Sequence, residues 1–289
     1  MQKLIYKNYK GQELAFGVSR PFILESIGSI ADVSTNISTS SDVEEGVSID
    51  SVNIKEKILP LNLAIRASSK EDLDKKRAML SALFNPKFKS EIIYTNNALT
   101  RKIEGVVQDI TFQSSIGFSQ KFLVQIFCSN PFWKDIYTTK TEIALWQGDF
   151  EFELEIPDDR DGIELGHRVS NLICNVNNCG DVQCGMKIQF RALASVVNPS
   201  LFNINTREFI KINKKLESGD LLEITTDFSN KRIEIIKNNG VRENVFNWLD
   251  LDSEFLQLKV GDNLFRYDAE KGIDNLEVAI YYTPLYLGI

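Results

Sequence analysis

The sequence predicts a mainly β protein in two domains, an α+β first domain with one helix and a β-sandwich after it. Two-residue alternation of apolar and polar side chains recurs along the first half, where one segment alone carries helix-start and helix-stop signals. In the second half short strands are closed at short intervals by Asn, Asp, Ser and Gly. At 289 residues the chain is long for a single core and suits two domains. Hydrophobic residues at 43% and charged residues at 25% match an ordinary globular chain, which sets aside disordered, collagen-like and coiled-coil classes.

The chain opens on a hairpin, with Lys3–Tyr6 as one strand, a turn at Asn8–Gly11 and Glu13–Phe16 returning. Further strands are expected at Ile58–Ala67, Glu91–Thr95, Ile103–Phe112 and Lys121–Cys128. In the last of these Phe122, Val124, Ile126 and Cys128 fall on one face. The helix starts at Ser68-Ser69-Lys70-Glu71, where a serine caps the first turn and Glu71 reaches back to it. Leu73, Leu80, Leu83 and Phe84 make its apolar stripe, and Asn85-Pro86 ends it, because proline restrains the residue before it and has no N–H to donate.

After Trp133 a polar stretch intervenes before strands resume near Ile143–Trp146 and Phe150–Ile156. The domain boundary is therefore expected near Lys140, giving domains 1–140 and 141–289. Asp158–Gly162 reads as a solvated acidic turn. From Val169 onward the turns Asn177–Asp181, Ser218–Asp220, Asn238–Gly240 and Val260–Asn263 divide short strands at the spacing of a sandwich.

Charge is divided unequally. The net is −7, but residues up to Lys140 hold 18 Lys and Arg against 15 Asp and Glu, and those after it 15 against 25. An acidic second half gives duplex DNA or anionic lipid nothing to bind, since both reward clustered cations. Met1–Lys7 lacks the apolar region of a signal peptide, and no run approaches the roughly 20 apolar residues of a membrane-spanning helix. The expectation is a chain made and kept in a cytoplasm, with no membrane partner.

Candidate chemistry is sparse. His167 is the one histidine, no nucleophile-elbow sequence flanks any serine, and its neighbours Gly166 and Arg168 read as an exposed loop or a strand start. His167 with Cys174, Cys179 and Cys184 offers metal-ligand atoms, yet the Cys-x4-Cys-x4-Cys spacing lacks the close knuckle of a zinc site. The alternative is a hairpin folding about Cys179-Gly180 that brings Cys174 and Cys184 together as reduced, small apolar groups. Phosphate-binding and dinucleotide glycine patterns do not occur. Glu151, Glu153 and Glu155 stand at alternate positions, where carboxylates more often form the wet face of a strand than a glycosidase pair. Trp133, Trp146, Phe246, Trp248, Tyr281 and Tyr282 are read as filling between sheets in preference to stacking sugars. No catalytic, metal or cofactor residue is assigned.

The order of features resembles the siphophage distal tail family. In the first half the resemblance rests on the opening hairpin, the capped helix, Glu91–Tyr94, Arg101–Gly105 and above all the strand running into Asn130-Pro131-Phe132-Trp133. In the second half it rests on Phe150–Phe152, Asn178-Cys179-Gly180-Asp181, Ser218–Asp220, Val260-Gly261-Asp262-Asn263 and the closing Tyr281-Tyr282 through Ile289. The chain departs from the family in having Glu45-Gly46 where Asp-Gly is common, and a cysteine at Cys179. Asn130, Pro131, Phe132, Trp133, Gly180, Asp181, Gly261 and Asn263 are the structural motif candidates.

This resemblance implies a ring-forming first domain and a galectin-like β-sandwich second domain. It implies a non-enzymatic hub of the virion tail, assembled in the bacterial cytoplasm as a homo-oligomeric, usually hexameric ring. Implied partners are the tail tube protein, the tape measure and tail tip or receptor-binding proteins, with DNA only passing through the lumen. The alternative is a carbohydrate-binding adhesin that uses its sandwich, and a hydrolase ranks third.

Overall fold

The computed structural model describes residues 2–41, 46–97, 99–148, 166–170 and 173–289, of which 144–148 and 166–170 are described by backbone alone. The expected strand Phe150–Ile156, the acidic turn at Asp158 and the side chains of Trp146 and His167 lie outside that description. The chain divides into two units, Met1–Ile136 with Leu285–Ile289, and Tyr137–Pro284.

In unit 1, β1 (Gln2–Asn8), β2 (Glu13–Phe16) and β3 (Phe22–Ile27) are followed by a separate hairpin of β4 (Thr35–Ser40) and β5 (Ser48–Ile54). Next come β6 (Lys57–Arg66), the helix α1 (Lys70–Leu83), β7 (Lys89–Asn96), β8 (Leu99–Phe112), β9 (Ser119–Cys128) and β10 (Trp133–Asp135). The main sheet runs β2-β1-β7-β8-β9-β6-β3, antiparallel throughout. β9 buries Phe122, Val124, Ile126 and Cys128, the face its alternation predicts. β6 lies along it in register from Lys57↔Cys128 to Arg66↔Ser119 and buries Leu59, Leu61, Leu63 and Ile65.

The helix is capped as a serine allows, with one change of partner. Ser69 Oγ accepts from Asp72 N at 3.1 Å, while Asp72 Oδ2 accepts from Ser68 N at 2.9 Å. The carboxylate reaching back is thus Asp72 and not Glu71, because Ser69 rather than Ser68 is the cap and the reciprocal position moves with it. Bonds from Lys76 and Ser68 hold the Asp72 carboxyl down at about 2. Leu73, Leu80, Leu83 and Phe84 are buried as the stripe predicts. Phe84 sits in an aromatic cluster with Tyr6 (4.4 Å between centroids), Phe16 (6.0 Å) and Phe122 (6.3 Å).

Unit 2 is built from two antiparallel sheets. One contains β11 (Thr139–Gly148), β12 (Gly166–Ser170), β14 (Met186–Ala192), β18 (Leu221–Thr225), β19 (Arg232–Ile236), β20 (Arg242–Asn244) and β22 (Leu276–Tyr282). The other contains β13 (Ile173–Asn178), β15 (Val196–Asn203), β16 (Phe209–Lys211), β17 (Lys215–Leu216) and β21 (Gly261–Lys271). Buried residues alternate along both, as in Met186, Ile188, Phe190 and Ala192, or Asn263, Phe265 and Tyr267.

The crossing between units falls at Ile136, earlier than the expected Lys140, because β11 already pairs along β22 from Thr139↔Tyr282. The chain re-enters unit 1 after Pro284, where β23 (Leu285–Tyr286) pairs with β10 in place of completing the sandwich.

Phe122 touches three rings of the unit 1 core, at 5.2 Å from Phe112, 6.3 Å from Phe84 and 6.5 Å from Phe16. Phe122→Ala is expected to destabilise unit 1 by about 3–5 kcal/mol in urea unfolding, whereas a loss below about 1 kcal/mol would place the core elsewhere. Residues 137–284, expressed alone, are expected to melt as one cooperative transition, and an uncooperative or insoluble fragment would refute their independence.

Candidate functional site

The hairpin β4–β5 is made of residues that do not ordinarily hold two strands alone. Thr35 pairs with Ile54, Ile37 with Val52 and Thr39 with Ile49, with a register shift after Ser38. Paired residues of an antiparallel ladder share a face, so Ile37, Ile49, Val52 and Ile54 line one side. Ser38, Ser51, Asn36 and Asn53 line the other. Three residues of the apolar side are open to solvent: Ile37 at 57%, Val52 at 55% and Ile49 at 62%. Among the described residues β4 and β5 pair only with each other. An isolated two-stranded hairpin is marginal in water, and its unpaired edges invite another chain. Across the two strands Ser40 Oγ donates to Asp50 Oδ1 at 2.8 Å.

The sequence reading missed this element. Its strands are mostly Ser, Thr and Asn, which read as loop, and the usable signal is the alternation that sets Thr35, Ile37 and Thr39 apart from Asn36, Ser38 and Ser40.

The motif candidates fall in two groups, each organised around its own backbone. Asn130 Oδ1 accepts from Phe132 N at 3.1 Å and shapes the turn over Pro131. Trp133 is fully buried and its Nε1 donates to the Ile30 carbonyl at 2.9 Å. In unit 2 the buried Asn178 accepts from Gly180 N at 3.0 Å and donates to the carbonyls of Val182 and Leu258. Asp181 follows in the same turn and is exposed. Gly261 has φ +86°, a backbone that favours glycine, and Asn263 beside it is 2% exposed. Asn263 Nδ2 donates to the carbonyls of Lys259 at 2.8 Å and Gly261 at 2.9 Å, and its Oδ1 accepts from Lys259 N at 3.0 Å. A fourth bond runs from Nδ2 to the Val176 carbonyl at 3.3 Å, so both ends of the side chain are taken up by backbone groups and fix the turn.

The expected hairpin about Cys179-Gly180 does not form. β13 pairs with β21, placing Cys174 opposite Phe265, while Cys184 bridges to Leu258. All four cysteines are free thiols. Burial pushes Cys128 and Cys184 up to about 12, which keeps both protonated and poor as nucleophiles. Among the described residues no three His, Cys, Asp or Glu side chains converge to hold a metal.

The aromatic reading needs one correction. Trp133 and Tyr282 are buried, but Phe246 and Trp248 are each 44% exposed, because they sit on a short 3-10 turn that turns only Val245 inward. Phe246 stacks on Phe255 at 5.8 Å, and the Lys214 ammonium lies 5.4 Å from the Trp248 ring centroid. Tyr281 is half-buried beneath the ammonium groups of Lys187 at 5.0 Å and Lys140 at 5.7 Å.

Comparison with known proteins places this architecture. Residues 9–128 match a family described as the phage tail protein RIFT-related domain, and residues 179–286 one described as the siphovirus-type tail component, C-terminal domain. The fold is similar to the crystal structure of the phage SPP1 Dit (gp 19.1) protein, described as a paradigm of the hub adsorption apparatus in phages infecting Gram-positive hosts. That match has TM-score 0.71 and 13% identity and covers 98% of each chain. It is also similar to a chain of the phage P2 baseplate in its activated conformation with calcium, at TM-score 0.55 and 12% identity over 98% of this chain and 97% of that one. The strontium form of that baseplate gives the same score and identity. No curated protein sequence matches the chain.

Exposure orders the thiols. In the native protein at neutral pH a disulfide reagent is expected to modify exposed Cys179 first and half-buried Cys174 more slowly, with Cys128 and Cys184 reacting only on unfolding. Rapid reaction of Cys184 in the folded state would contradict the packing around it.

Proposed function

We propose that the chain, whose two halves each match a phage tail family model, is a structural hub component of a siphophage virion tail, and that its first unit assembles head-to-tail into a closed sixfold ring. The ring joins the tail tube to the tail tip and its host-recognition apparatus. The observation that carries this reading is the unpartnered apolar face of β4–β5. Covering Ile37, Ile49 and Val52 returns roughly 1 kcal/mol for each half-exposed side chain, and pairing the hairpin edges with a neighbour satisfies the backbone in the same step. A contact repeated by a rotation that closes gives a ring, and the same contact without closure gives a filament. A stable junction buries on the order of 1,200–2,000 Å² in all, so the hairpin supplies its centre and surrounding strands its rim.

The acidic balance of the second half suits a solvated surface. The further partners are the tail tube protein, the tape measure and receptor-binding or tip proteins. DNA passes through the lumen without being bound, and no part of the assembly requires a catalytic residue.

Exposed Phe246 and Trp248 favour a second reading, in which the sandwich binds a glycan on this ridge. Saturable binding of host wall polysaccharide tighter than about 1 mM, abolished by Trp248→Ala, would support that reading beside the first.

Ile37→Asp with Val52→Lys tests the ring directly. Light scattering of the unsubstituted chain at rising concentration is expected to exceed monomer mass, alone or with tail tube protein added, while the doubly substituted chain stays monomeric with an unchanged melt. Equal assembly by both chains would remove the hairpin from the interface, and a wild-type chain that stays monomeric in both conditions would remove the ring.

A further inference from the structure

Residues 285–289 lie in a seat formed within unit 1. β23 pairs with β10 at Trp133↔Tyr286 and Lys134↔Leu285, and β10 pairs in turn with β8. The Arg101 guanidinium lies 3.4 Å from the Tyr286 ring centroid and donates to the Gly288 carbonyl, so one side chain meets both the aromatic ring and the backbone of the segment. Tyr286 Oη donates to Asp135 at 3.2 Å, and Lys57 Nζ donates to the Leu287 carbonyl at 3.1 Å. At position 288 only glycine fits: a Cβ there would stand 2.8 Å from Ala31 Cα and 2.9 Å from Ala31 Cβ. The same Ile30-Ala31 backbone receives the Trp133 indole N–H, so the seat is built against a fixed wall.

Tyr286 and Ile289 pack against the edge of the unit 1 core while remaining only half-buried. None of the segment's five residues is fully buried. A cavity of about 70 Å³, lined among others by Asp32, Lys57, Phe132 and Leu287, leaves space on one side of it. Burial pushes the Lys57 ammonium down from the usual lysine range, although Cys128 and Asp32 oppose that shift. Withdrawal of Leu287 would open this group to water, and its rehydration offsets part of the lost contact.

We propose that residues 285–289 form a releasable clasp, and that the groove of unit 1 which seats them is a binding site for a linear segment of the pattern Leu-Tyr-Leu-Gly-Ile. Recognition reads an aromatic ring under Arg101, a glycine against Ala31 and two successive carbonyls. With the clasp seated, the chain between Ile136 and Leu285 is tied to unit 1 at both ends; with it released, at one. The proposal is independent of ring formation and stands or fails apart from it.

Hydrogen exchange on the intact protein supplies the first test. Backbone amides of 285–288 are expected to exchange at least ten-fold faster than those of β6 and β9 and still measurably slower than an unstructured peptide. Exchange at the rate of β6 and β9 would make the segment ordinary core, and unprotected exchange would mean no seat; either overturns the proposal. The second test adds a fluorescent peptide Pro-Leu-Tyr-Leu-Gly-Ile to a chain ending at Pro284. Saturable binding is expected, weakened about ten-fold or more when the peptide glycine becomes valine or when the chain carries Arg101→Ala. A folded shortened chain that ignores the peptide, or that binds the valine peptide equally, overturns it. Should the shortened chain fail to fold, Gly288→Val in the full chain replaces it, and there a segment whose exchange is unchanged from the parent overturns the proposal.

Discussion

The pairing of β6 with β9 is the constraint on which unit 1 depends. Its register runs unbroken from Lys57↔Cys128 to Arg66↔Ser119, and each strand turns an apolar row to the same side. That surface gives α1 and the aromatic cluster something to cover, and it fixes β3, which pairs with the other edge of β6. The excursion between β3 and β6 therefore starts and ends on a rigid frame. β4 and β5 lie on that excursion, held at the base where Lys55 N donates to the Ser34 carbonyl at 2.8 Å. A hairpin with an apolar face and two open edges on such a frame is a poor element for a lone chain and a suitable one for an assembly.

Local signals were legible wherever a single element buries its own pattern. The alternation of Phe122, Val124, Ile126 and Cys128 and the stripe from Leu73 to Phe84 need only a period and a cap to be read. The turns at Asn178 and Asn263 were legible as turns. Their role as buried partners for several backbone groups follows only once the strands around them are placed. The hairpin was hidden because Ser, Thr and Asn at half its positions give the composition of a loop. The seating of residues 285–289 was hidden for another reason: Arg101 and Gly288 meet across 187 positions of sequence, and no window contains both. Phe246 and Trp248 show the limit of compositional reasoning, since large aromatics default to the core until a tight turn leaves them outside.

The chemistry of the side chains accords with a protein that works by shape. Its buried thiols are held protonated, and the buried Asn178 and Asn263 are occupied by backbone groups. The candidate motifs are the parts that set turns and seats, which suits a component whose task is to present surfaces to neighbouring chains.

If a second copy of the chain covers the apolar face of β4–β5, hydrogen exchange of residues 35–54 across a dilution series will register it. Protection of these amides is predicted to rise with protein concentration in step with the measured mass, while exchange in β6 and β9 stays constant. A mass that rises while residues 35–54 exchange unchanged would contradict the account, because assembly would then be using some other face.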